Sequence, residues 1–543
     1  MSTTLLDARF DPPAKGQWIS LRDHFPRALT PEYTALLQGA VYAGEAKPFA
    51  AYGMPVKTLE VRCVHGHVYM GPVPLVGKQS DGLPPAPLLK IAVRLVPAFR
   101  RRAKAAVRAL AERPWLAEAD HWYAVERQEW IDRCSTLQVV DVDDLSTGDL
   151  VTHLQACRAL ARAGYERHFS LHGPDLIPIG LLLARCEDWG VGAEAVLPVM
   201  AGASPASVGQ GTELDALRAA VDGRRPESLE ELRAVAGSAL DAFLQRFGTR
   251  MVTGYDLDCR SLGELPNLLV NLACARPAPA VADVSGAALD ALRGLVPPAD
   301  HDELDQLVSD ARATFGVRDD NGSLTGAWPV GLLRRAMLAA GRRLTAAGSL
   351  AEVDHAVEIT VDELSAMLAG ASAPSLDEVR DRAALRAARS RLDPPLQLGP
   401  TLELPFDALP VPMRTIARAQ LILRDTFTVP PGSERPQLRG DGLGVAPYTG
   451  VACVASDPAD ALARLRPGDV LVATGTTPAF NMALSIAGAV VVEEGGLLSH
   501  AAVIARELGL PAVIGTAGCM EIPDGATVEV DPVAGAVRVV VGV

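Results

Sequence analysis

The segment VVEEGGLLSHAAVIARELGLPAVIG, Val491 to Gly515, gathers residue types suited to handling a phosphoryl group. An apolar run leads into Gly495 and Gly496, and Ser499 then offers a capping hydroxyl. His500 opens an amphipathic stretch that stops at Gly509, with Pro511 beyond. The pattern puts His500 in the first turn of a helix, where free backbone N–H groups and the positive end of the helix dipole favour an anion. Neutral imidazole is a competent nucleophile near neutral pH, whereas a hydroxyl needs a base to activate it. The paired glycines let backbone approach a bulky anion closely. Taken alone, such a histidine is more often an ordinary first-turn residue beside a glycine turn, so the assignment rests on the whole segment.

Other residues invite weaker readings. His24, in DHFPR, is a second candidate acid or base. His168 and His172 share a helix face at i, i+4, but no third ligand of suitable spacing accompanies them, and His65 and His67 flank a hairpin glycine. No intrinsic metal is assigned. Between Arg94 and Arg113 lies a basic run containing Arg100, Arg101, Arg102, Lys104 and Arg108, which reads first as a solvated helix face and second as an anion or partner patch.

The elements that must carry these residues fall into two textures. From Pro31 to Leu423 helical periodicity dominates: Asp149 to Arg167, Leu229 to Phe247, Pro329 to Ala347, Thr360 to Leu368 and Leu376 to Leu392 each space apolar residues by three and four. The best strand signal there is LEVRCVHGHVYMGPVPL, Leu59 to Leu75, alternating around Gly66 as a hairpin would. TVPPGSERPQLRG then reads as a linker, and short β-rich segments follow: Val451 to Ala455, Asp469 to Ala473, Ala489 to Val492, Ala512 to Ile514, Thr527 to Val530 and Ala536 to Val541. The expected fold is multidomain α+β, with a large mainly α-helical domain at 1–427, a linker at 428–439 and a small α/β domain at 440–543.

Composition bounds the function. The 543 residues include 51 basic and 65 acidic side chains, a formal charge of −14, which argues against a nucleic-acid binder because such affinity rests on a basic surface. The 8 cysteines are scattered singly, as suits a reducing compartment, and no apolar run approaches the ~18 residues that span a bilayer. A cytoplasmic protein without a membrane partner is expected. Neither GxxxxGK[ST] nor GxGxxG opening a helix occurs, so nothing in the chain is built to hold ATP.

The terminal segment closely resembles the swivelling phosphohistidine domain of phosphoenolpyruvate synthase, pyruvate phosphate dikinase and rifampin phosphotransferase. In that family the histidine of GG-x-[TL]-S-H-[AG]-A accepts phosphate; here that residue is His500. GDVLVATGTTPAF, Gly468 to Phe480, resembles the strand and threonine loop beside the histidine, which would put Thr476 and Thr477 near the phosphate with Gly495, Gly496 and Ser499. IPDGATVEVDPVAGAV resembles the closing hairpin, with Pro532 where the family usually has glycine.

The earlier residues resemble the substrate-binding part of rifampin-phosphotransferase-like and two-component members. QWISLRDHFPRA (17–28), FLQRFGTRMVTGYDLDCRSLGELP and VRDDNGSLTGAWPVGLLRRAMLAAGRRL carry the likeness. The family's Arg-Glu-Asp-Asn is Arg318, Asp319, Asp320 and Asn321 here, and the histidine of its yGhR segment is Thr249. The resemblance implies a phosphohistidine phosphotransferase of the dikinase type that lacks its own ATP-grasp domain, similar to phenylphosphate synthase or 4-methylbenzyl phosphate synthase. A separate ATP-grasp subunit would bind ATP and Mg²⁺ and transfer the β-phosphoryl to His500. The resemblance implies a small, aromatic hydroxyl compound as acceptor, and the Trp, Phe, Tyr and Met of the site segments suit an apolar one. Arg318, with Arg334, Arg335 or Arg342, would contact phosphate, and Asp319, Asp320 or His24 would act as base. A competing class is a relay or regulatory protein in which phospho-His500 signals to a protein target.

Overall fold

The computed structural model describes residues 8–22, 24–204, 211–275, 285–372, 374–427, 437–476 and 480–541. The chain forms two compact units. One comprises Met1–Pro174, Tyr255–Cys259 and Asn321–Ala417, and the other Asp175–Gly254, Arg260–Asp320 and Arg418–Val543.

The first unit is helical around a small antiparallel sheet. Strands β1 (Trp18–Ser20), β2 (Val56–Val64), β3 (His67–Pro74) and β4 (Gln397–Leu398) lie in the order β2-β3-β1-β4. The expected hairpin is β2 and β3, and its turn holds His65 at φ +52° and Gly66 at φ +86°. At Gly66 a Cβ would meet the Ala28 Cβ at 2.6 Å, so glycine serves both the turn and the close approach. Helices Thr147–Ser170, Val361–Leu368 and Leu376–Arg389 begin at Ser146, Thr360 and Ser375, each of whose hydroxyls accepts the N–H three residues on. A π-helical turn, Gly322–Ala327, leads into helix Trp328–Ala346.

The second unit contains helices Gly211–Val221, Leu229–Phe247, Pro266–Cys274 and most of His172–Asp188 and His301–Asn321, together with the seven-stranded terminal sheet. Its strands are β5 (Asp441–Leu443), β6 (Tyr448–Ala455), β7 (Val470–Ala473), β8 (Ala489–Val492), β9 (Ala512–Ile514), β10 (Thr527–Asp531) and β11 (Ala536–Val541). They run in the order β11-β10-β6-β7-β8-β9-β5, parallel from β6 to β9 and antiparallel outside. The sheet curls until the residues before β5 meet β11: Gly440 N–H donates to the Gly535 carbonyl, and Val537 N–H to the Leu438 carbonyl. Closure removes the exposed edge that an open sheet would present.

β7, β8 and β9 are buried throughout, as continuous apolar strands covered on both faces must be. Alternate residues go to different cores. Val470, Val472, Val491 and Val513 face the inside of the curl with Val528 and Val530. Leu471, Ala473, Val490, Val492 and Ile514 face outward, into a core shared with Leu217, Leu240, Phe243, Leu269 and Leu272. Helices from 211–275 therefore complete the hydrophobic core on the outer face of the sheet, in the unit that also holds residues 440–541. Of the expected linker, residues 428–436 lie outside the described residues. Among the described residues no helix is long and apolar enough to cross a membrane.

Candidate active site

β8 feeds the loop 493–499, and helix His500–Leu508 starts where the loop ends. Gly495 sits at φ +113°, and a Cβ there would meet Ser499 Cβ at 2.8 Å, so only glycine lets the loop fold back on residue 499. The helix closes at Gly509, φ 64°, whose N–H returns to the carbonyls of Ala505 and Arg506.

The capping role expected for Ser499 is corrected. Ser499 occupies the N-cap position, but its hydroxyl makes no capping bond, and Oγ is buried with no partner. The folded-back loop is the reason: it holds this side chain against Gly495, where an added Cβ would lie 2.9 Å from Oγ. The first-turn amides are thus left without the Ser499 cap, which suits an incoming anion.

The His500 ring is held at both nitrogens. Nδ1 lies 2.9 Å from Thr476 Oγ1, in the loop after β7, and Nε2 lies 2.6 Å from Asn481 Oδ1, at the start of the short helix Asn481–Leu484. An amide oxygen only accepts, so Nε2–H donates to Asn481 and the neutral ring keeps its lone pair at Nδ1, where the Thr476 hydroxyl donates. Asn481 was missed in the sequence because nothing in NMAL marks it as polar machinery. Thr477 lies outside the described residues.

Asp319 approaches the same helix. Its Oδ2 accepts from the Ser204 hydroxyl at 2.5 Å, and Ser204 N–H donates to Glu507 Oε1 at 3.2 Å. Glu507 is seven residues beyond His500, on the same helix face. Burial raises the Glu507 pKa, and the Asp319 charge adds to the rise against the backbone hydrogen bond from Ser204. Leu498 joins a core with Ile179, Leu182, Val308 and Ala311, so the loop before His500 is packed against helices His172–Asp188 and His301–Asn321. Arg318 is half-buried and Asp320 is buried at the end of the latter helix.

The remaining expected site residues belong to the first unit. Asn321 is fully buried, and its Oδ1 lies 2.6 Å from His168 Nδ1; His172 Nδ1 lies 3.0 Å from the buried Glu45. Arg335 donates to the carbonyls of Leu137 and Gln138, and Arg342 pairs with Asp143, so both guanidinium groups anchor the turn after helix Arg127–Gln138. Arg334 donates to the Leu257 carbonyl. His24 is exposed and stacks on Tyr255, with ring centroids 6.0 Å apart. His65 and His67 bond the carbonyls of Arg9 and Arg389.

Sequence reading also missed a buried network near Thr30. Asp256 accepts from Thr30 N–H at 2.8 Å, from Thr30 Oγ1 at 2.5 Å and from Leu257 N–H at 2.6 Å. Beside it, Arg386 pairs with Glu358 at 2.6 Å and Asp258 at 2.7 Å.

Residues 465–535, which include Thr476, Asn481 and His500, match the family described as PEP-utilising enzyme, mobile domain. These residues are therefore similar to a PEP-utilising enzyme mobile domain. A probable phosphoenolpyruvate synthase of Archaeoglobus fulgidus is 45% identical over 71 residues, 13% of this chain and 9% of that protein. The uncharacterised phosphotransferase YvkC of Bacillus subtilis is 41% identical over 103 residues, 18% of this chain and 12% of its own length. Similarity reaches beyond the mobile domain in a chondramide synthase of Chondromyces crocatus, 26% identical over 567 residues, which cover 95% of this chain and 14% of the synthase. The chain thus spans between 9% and 14% of the length of these relatives.

Proposed function

We propose that this chain takes a phosphoryl group on His500 and delivers it to the hydroxyl of a small, aromatic acceptor. One observation carries the reading: the His500 imidazole, held by Thr476 and Asn481 at the start of a helix, inside a PEP-utilising mobile domain. Phosphoryl transfer asks a protein for positioning and charge compensation, and a first-turn imidazole beside uncapped amides offers both.

The donor is the β-phosphoryl of ATP, bound with Mg²⁺ mainly by a separate ATP-grasp subunit; the N–P bond to His500 forms as the α–β anhydride bond breaks and releases AMP, and water cleaves the β–γ bond to release phosphate. The second half-reaction forms the acceptor O–P bond and breaks the N–P bond to His500. Asp319 or Asp320 takes the hydroxyl proton, and Arg318 balances the phosphoryl charge. The bond from Ser204 to Asp319, with Ser204 also reaching Glu507, supports reading this arrangement as the acceptor-facing position of the mobile domain. Reloading then requires the mobile domain to leave this arrangement and turn towards the ATP-grasp subunit. The likeness to chondramide synthase along 95% of the chain supports treating the helical residues and the mobile domain as one functional unit.

Incubation with β-labelled ATP and the ATP-grasp subunit tests the proposal. Label on the wild type and none on His500→Ala is the expected result; equal labelling of both would defeat it.

A further inference from the structure

The basic run between Arg94 and Arg113 has no part in the transfer proposed above. In the first compact unit it forms one wall of a groove of 630 Å³, where Arg101, Arg102, Lys104 and Arg108 meet the apolar side chains of Leu75 and Ala98. Residues 101, 104 and 108 recur at steps of three and four on helix Pro97–Glu112, so their side chains share a face. All three are exposed, and none forms an ion pair among the described residues. In a chain of formal charge −14, three neighbouring cations without a carboxylate leave a local positive field.

Arg102 is the buried member of the set, 8% exposed. Its Nη2 reaches the Lys57 carbonyl at 3.4 Å, while Nη1 is buried with no acceptor. Burial lowers its pKa, as expected of a charge withdrawn from water without a counter-ion. A buried donor left unsatisfied beside a cationic groove calls for an acceptor with several oxygens.

We propose that this groove binds a phosphate-bearing anion. Guanidinium forks and an ammonium group match phosphate oxygens, and Leu75 and Ala98 give the organic part an apolar wall. A soluble phosphate ester and a lipid headgroup share this chemistry. The second source is represented because the preceding helix, Ala86–Leu95, exposes Leu88, Ile91 and Leu95 at steps of three and four.

Calorimetric titration of the full chain with inorganic pyrophosphate, at low and high salt, is run beside co-sedimentation with phosphatidylcholine vesicles containing phosphatidic acid. Saturable binding that weakens with salt, and falls about tenfold or more in the triple variant Arg101→Gln, Lys104→Gln, Arg108→Gln, is expected. Arg102→Met should fall likewise; because its burial could cost folding, the surface triple variant is the deciding measurement. His500→Ala separates this groove from the mobile domain and should bind as the wild type does. Saturation by pyrophosphate assigns the groove to soluble esters, and uptake by vesicles alone assigns it to a lipid headgroup. Undiminished binding in the triple variant, loss of binding in His500→Ala, or no saturable binding of either probe would overturn the proposal.

Discussion

The Ser204 hydroxyl donates to Asp319 Oδ2 at 2.5 Å, and through its own N–H Ser204 also holds Glu507 on the helix that His500 opens. A hydrogen bond to a charged group contributes about 1.5–3 kcal/mol. Replacing Ser204 by Ala should therefore loosen the anchoring of helix His500–Leu508. The readout is amide hydrogen exchange, expected to quicken about tenfold or more in that helix. Unchanged exchange there would show that the contact contributes nothing to docking.

Bracketing of the His500 ring makes a second prediction, independent of any partner subunit. Phosphoramidate should phosphorylate the histidine directly, and phosphorus NMR can follow the product. Asn481→Leu removes the acceptor that holds Nε2–H, and Thr476→Val removes the hydroxyl at Nδ1. Each should slow modification about tenfold, the effect of about 1.4 kcal/mol in positioning. A wild-type rate in Asn481→Leu would remove Asn481 from the site.

The Arg386 cluster bears on stability. Its side chain and those of Glu358 and Asp258 are 18%, 5% and 14% exposed. Arg386→Leu leaves Glu358 buried without its cation, while Asp258 keeps Arg27 at 3.4 Å; breaking a buried pair by removing one partner costs about 3–5 kcal/mol. Denaturant unfolding should show a loss of that order; a loss under about 1 kcal/mol would mean that water replaces the guanidinium freely.

The Asp256 carboxyl is pushed up to about 7 by burial and by the neighbouring Asp258 charge, against the lowering effect of its bonds from Thr30. Because the folded value lies above the unfolded one, the protonated form favours the fold. This stabilisation is fully present below the ordinary carboxylate range and is lost as pH rises through about 7. Melting temperature should accordingly fall across that interval in the wild type. Asp256→Asn, neutral throughout, should flatten the slope, and an unaltered slope would place its origin elsewhere.

Local periodicity made much of the fold legible. Leu229–Phe247 is a helix over the expected bounds, and β8 and β9 are the expected Ala489–Val492 and Ala512–Ile514. His500 opens its helix as the Gly-Gly-x-x-Ser spacing and the Gly509 stop required. The three-residue β5, Asp441–Leu443, was not legible, because so short a strand shows no alternation and forms only by pairing with β9.

What the sequence determined by itself, then, was which residue could carry phosphate and what kind of element must hold it, since capping, turn chemistry and the spacing of apolar side chains all act over a few neighbours. Only the tertiary structure decided which groups meet that element: Asn481 on the ring, Ser204 and Glu507 beside Asp319, and Asp256 on Thr30, 226 positions away. It also turned the Ser499 hydroxyl away from the helix it precedes. Periodicity records that a face is covered, while the covering partner is chosen by packing and by hydrogen bonds between residues far apart in the chain.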